Sequence, residues 1–92
     1  MTSLNHQLTG KGTPIVFVHG FSLDSRMWLP QVEYFAKTHQ VLTYDMRGFG
    51  KSPLPDGPYS HVEDLHALML ELKLKEAHLI GLSLGGEVAI EY

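Results

Sequence analysis

Short apolar runs alternate with amphipathic stretches along this 92-residue chain, which is the pattern of stacked βαβ units. The run Ile15-Val16-Phe17-Val18 constrains the fold most. It is β-branched and aromatic throughout and has no polar alternation, so it suits a central strand of a parallel sheet, buried on both faces. Val41-Leu42-Thr43-Tyr44 and Ala77–Leu82 read as two further parallel strands. Residues 3–9 read as a short antiparallel or edge strand, ended by the turn signal Gly10-Lys11-Gly12-Thr13-Pro14.

Helical patterns lie between the runs. Residues 26–37 carry Trp28, Val32, Phe35 and Ala36 on one side, and Pro30 suits a first turn. A glycine- and proline-rich loop spans Arg47–Tyr59. Ser60-His61-Val62-Glu63 then has capping-box spacing. Val62, Leu65, Leu68, Met69 and Leu72 recur at helical period, and Lys73 and Lys75 sit where the helix dipole favours cations. Leu84–Tyr92 reads as the start of another helix. With right-handed crossovers, this order predicts an α/β fold: a mostly parallel sheet with flanking helices, in one domain over residues 1–92. The third parallel strand is left without a neighbour on one side. Its Leu79, Ile80 and Leu82, with no proline, make that edge apolar and unblunted. A homo-oligomer, most simply a dimer, is therefore expected.

Composition removes several classes of function. The absence of cysteine excludes disulfides, zinc–thiolate sites and thiol chemistry. A net charge of −3 argues against binding a nucleic-acid backbone. No apolar run approaches the roughly 20 residues that span a membrane. The start Met-Thr-Ser-Leu-Asn-His lacks the basic and apolar regions of a signal peptide, so a cytoplasmic location is expected.

Chemistry concentrates in Gly81-Leu82-Ser83-Leu84-Gly85-Gly86, which fits G-x-S-x-G between an apolar strand and a helix. A nucleophilic serine has to project from a very tight strand-to-helix turn. The residues two before and two after then approach so closely that only glycine or another small residue fits. The helix N-terminus adds a positive dipole end, and the Leu84 N–H points to where an oxyanion would form. The plain alternative is a glycine-rich turn with an idle serine. His19-Gly20-Phe21 and Asp45–Ser52 follow the other two parallel strands, so all three loops converge at one sheet edge. There the Phe21 N–H is a candidate second oxyanion donor.

In that order, His19-Gly20-Phe21, Asp45-Met46-Arg47-Gly48-Phe49-Gly50-Lys51-Ser52 and Gly81-Leu82-Ser83-Leu84-Gly85-Gly86 resemble the N-terminal half of an α/β-hydrolase. The group most similar is that of esterases, lactonases and cofactor-free haloperoxidases. The resemblance implies that Ser83 is the nucleophile and that the Phe21 and Leu84 N–H groups form the oxyanion hole. It also implies that Asp45 and Arg47 brace the second loop without joining a catalytic triad, and that no metal or organic cofactor takes part. The implied substrate is a small ester-like molecule. The departure from the family's pattern lies downstream. The triad order is serine, acid, histidine, yet only Glu87 and Glu91 follow Ser83 as acids, and no histidine follows His78.

Two classes of function stay open: a minimal serine hydrolase acting on carboxylic esters or similar acyl substrates, and a non-catalytic folding unit or complementation half. For the first, His19 is the leading in-chain candidate for a base, against a plainer role bracing its loop. Other readings carry less. Gly50-Lys51-Ser52 is similar to the tail of a phosphate-binding loop, but Asp45 stands where that loop needs glycine. His61 and His66 are five apart and do not share a helix face, so both read as solvated. His6, His39 and His78 read as surface or edge residues. Trp28 reads as core, with a position beside Ser83 as the alternative.

Overall fold

The computed structural model describes residues 4–92. Four strands form one sheet in the order β1-β3-β2-β4: β1 (His6–Thr9), β2 (Pro14–Val18), β3 (Gln40–Tyr44) and β4 (His78–Gly81). β2 lies between β3 and β4 and is parallel to both, with Val16 opposite Leu42 and Leu79. β1 runs antiparallel to β3 at one edge. The predicted edge strand thus exists over its second half, and residue 3 lies outside the described residues.

The lack of alternation in β2 follows from burial on both faces. Val16 and Val18 enter a core built with Leu42, Tyr44, Leu65, Leu68 and Val88. Ile15 and Phe17 enter a second core with Trp28 and Val41. Helix α1 (Leu29–Phe35) covers the second core through Val32 and Phe35, while α2 (His61–Glu71) and α3 (Leu84–Glu91) cover the first. The result is the expected mostly parallel sheet between helices.

The helical stretch predicted over 26–37 divides in two. Ser25–Trp28 is a 3₁₀ turn and α1 follows it. That first turn is pinned from outside, because the Asp24 carboxylate accepts the Arg26 N–H (2.9 Å) and the Asp45 carboxylate accepts the Ser25 N–H (2.7 Å). Pro30 has no N–H to return to Arg26, so it sits in the first turn of α1, where none is needed. α2 begins as predicted, with Ser60 Oγ accepting the Glu63 N–H at 3.2 Å.

Its end differs from the sequence reading. The helix stops at Glu71, and Lys73 takes a left-handed conformation (φ 61°) in place of a place in the last turn. The Lys73 and Leu74 N–H groups close back onto the Leu70 and Met69 carbonyls (3.1 and 2.9 Å). This is the Schellman closure, with lysine where glycine is usual, and it turns Leu74 into the core. At the other end of the sheet, β4 bonds to β2 alone among the described residues, and Ile80 and Leu82 stay exposed. Among the described residues, no helix is long and apolar enough to cross a membrane.

Candidate active site

The C-terminal ends of β2, β3 and β4 carry the loops at His19, Asp45 and Ser83. The Leu82 N–H donates to the Val18 carbonyl (3.2 Å), which extends the β2–β4 ladder up to Ser83. Ser83 then turns the chain into α3 with φ 58° and ψ −116°, a strained conformation for a residue other than glycine. The flanking glycines have the predicted cause. A Cβ on Gly81 would overlap the Gly85 carbonyl, and one on Gly85 would overlap the Val18 and His19 carbonyls. Strand and helix are thereby brought into contact at the backbone, leaving the serine exposed at the apex.

Gly20 sits beside this turn, since a Cβ placed on it would stand 3.6 Å from the Ser83 Cβ. The loop bearing the Phe21 N–H is therefore a neighbour of Ser83. On the other side, the Gly85 and Glu87 N–H groups are taken by the Leu82 and Ser83 carbonyls (2.9 and 3.1 Å). The Leu84 N–H opens the helix and has no intrahelical acceptor. Phe21 projects a ring that is 68% exposed.

His19 is fully buried. Its Nδ1–H donates to the Gly20 carbonyl (2.8 Å), and its Nε2 accepts the Met46 N–H (2.9 Å). Both ring nitrogens are thus committed to backbone, and neither is available to take a proton from Ser83. The expectation of His19 as a base is corrected on this geometry: the imidazole ties the β2 loop to the β3 loop.

Asp45 and Arg47 are braces. The buried Asp45 carboxylate accepts from the Ser25 N–H (2.7 Å), the Asn5 side-chain amide (2.9 Å) and the Lys51 N–H (2.9 Å). Burial pushes its pKa up, but these hydrogen bonds outweigh burial and hold it below the usual carboxylate range. Gly50 passes the carboxylate at φ 51°, where a Cβ would overlap it. Arg47 pairs with Asp64 of α2 through two bonds of 2.9 Å. Ser52 Oγ donates to the Asp45 carbonyl (2.5 Å) and accepts the Asn5 N–H (2.9 Å), so this loop is closed on itself.

Trp28 is core: its ring lies 4.7 Å from that of Phe17, and it is 8% exposed. His61 departs from the solvated reading. It is half-buried, its Nδ1 has no hydrogen-bond partner among the described residues, and desolvation lowers its pKa despite the nearby Asp64. His66 is exposed and meets the Tyr92 hydroxyl at 3.0 Å. Two contributors were missed. Asn5 carries no sequence signal. Asp64 had one, a carboxylate amid the apolar positions of α2.

Residues 15–92 match the alpha/beta hydrolase family, and the chain belongs to it. A relative from Synechocystis sp. bearing the name of a non-heme chloroperoxidase is 44% identical over 84 residues, 86% of this chain and 30% of that protein. The solved enol-lactonase of Burkholderia xenovorans superposes with a TM-score of 0.88 at 37% identity, over 95% of this chain and 36% of that one. A thermophilic esterase from Thermogutta terrifontis gives 0.87 at 40% identity, over 94% and 33%. The chain thus spans about a third of the length of the relatives it matches.

Proposed function

We propose that this chain carries the nucleophile and oxyanion hole of a serine hydrolase for carboxylic esters or similar acyl substrates. The observation that supports it most is the Ser83 turn: a strained, exposed serine between two glycines, beside the Gly20-Phe21 loop and at the start of α3. Ser83 Oγ attacks the carbonyl carbon, and the carbonyl electrons move onto oxygen, where the Phe21 and Leu84 N–H groups receive the charge. Collapse expels the alkoxide, which takes a proton from solvent to leave as the alcohol, and water then attacks the acyl-serine, giving the acid and returning a proton to Ser83 Oγ. The Oγ proton passes to solvent, because no histidine among the described residues bonds to this hydroxyl. An oxyanion hole and binding alone retain roughly 10³–10⁴-fold catalysis over water. No metal or cofactor enters this scheme.

The commitment of both His19 nitrogens favours a second reading, in which the chain is a folding unit or complementation half that needs a base from elsewhere. Hydrolysis of p-nitrophenyl acetate separates the two. We expect Ser83→Ala to abolish turnover of the activated ester while the circular dichroism spectrum is unchanged. If the variant keeps the wild-type rate, surface histidine chemistry accounts for the activity and the Ser83 reading fails.

A further inference from the structure

A groove of about 460 Å³ lies between the end of α2 and Tyr92, and none of its lining residues belongs to the loops at His19, Asp45 and Ser83. Its apolar lining is Met69 and Leu74, both buried, with Leu70 left exposed beside them. Tyr92 completes the lining, its hydroxyl 3.0 Å from the His66 imidazole. Lys73 and Lys75 complete it on the cationic side. No carboxylate lines the groove, and neither lysine forms a salt bridge among the described residues. Apolar walls with a few convergent polar groups, in a volume of this order, are the ordinary makings of a small-molecule site.

The helix itself does not need these lysines. A cation at a helix C-terminus ordinarily meets the last carbonyls, but here the Leu68, Met69 and Leu70 carbonyls already accept the Leu72, Leu74 and Lys73 N–H groups. Lys73 also takes a left-handed φ of 61°, which glycine adopts without steric cost. A strained position thus sets a cationic residue on an apolar groove. We infer that the groove binds the anion of a straight-chain fatty acid, with the hydrocarbon on Met69, Leu70 and Leu74 and the carboxylate at Lys73 and Lys75. The apolar lining favours the chain in proportion to the methylenes it buries, and the unpaired lysines select the sign of the head group. This site is separate from Ser83 and does not rest on the nucleophile reading.

NMR titration of the 92-residue chain with octanoate, hexanoate and octylammonium tests this. We expect octanoate to shift Met69, Leu70 and Leu74 saturably and to bind about tenfold more tightly than hexanoate. Octylammonium, with the same chain and the opposite charge, should give no saturable shift. Lys73→Gly relieves the left-handed strain, so the fold is kept while octanoate affinity falls about fivefold; Lys73→Arg should retain binding. Ser83→Ala should leave it unchanged. Octylammonium binding as well as octanoate, equal affinity for the two acids, or full affinity in Lys73→Gly would each overturn the inference. So would shifts confined to the surroundings of Ser83 and lost in Ser83→Ala, which would place the acid at the proposed active site and leave the nucleophile reading standing.

Discussion

Position 19 shows how little a residue's chemistry says until its partners are known. A histidine in a loop facing a serine reads as a base or as a loop brace, and a buried ring bonded at both nitrogens is the brace. The two roles predict different failures. Loss of a base removes activity and spares the fold. Loss of a tie strands the Met46 N–H and opens a cavity, so His19→Ala should cost about 2–4 kcal/mol of stability in urea unfolding. An unchanged unfolding midpoint would contradict the tie. The sequence offered the brace but not its partner, since Met46 is 27 residues away and only the closing of two loops brings it near. The serine was legible for the opposite reason. Its constraint is local, written in two glycines that a side chain would drive into backbone.

Among the elements, β2 and the start of α2 were read correctly because burial and capping leave direct marks on composition. The end of α2 and the 3₁₀ turn were not. One depends on a lysine forced left-handed so that Leu74 can reach the core. The other depends on a carboxylate supplied by a distant loop. That carboxylate, Asp45, also sets an acid limit. A group whose pKa is lowered by folding adds stability that is fully present above its unfolded value, about 3.9, and is lost as pH falls through the folded value. Asp45→Asn should therefore destabilise the chain at neutral pH by about 1–3 kcal/mol, through mismatched donors around a buried group. The gap to wild type should narrow below about pH 4. Urea titrations at pH 7 and pH 3 check both; a gap that stays constant would remove Asp45 from the acid transition.

At the scale of the molecule, the sheet among the described residues ends at β4, where Ile80 and Leu82 are exposed. Such an edge recruits another strand, so we expect this chain to associate, most simply as a dimer joined at β4. Light scattering at tens of micromolar should give about twice the monomer mass, and a clean monomer would refute the expectation. What the edge does not decide is whether the Ser83 turn is chemically competent. Stoichiometric reaction with a fluorophosphonate, followed by mass spectrometry of the peptide around the serine, tests that directly. We expect one phosphonate per chain, on Ser83, formed at a rate that saturates with reagent and lost in Ser83→Ala. A serine that stays unmodified while the chain is folded, or label spread over other residues, would contradict it.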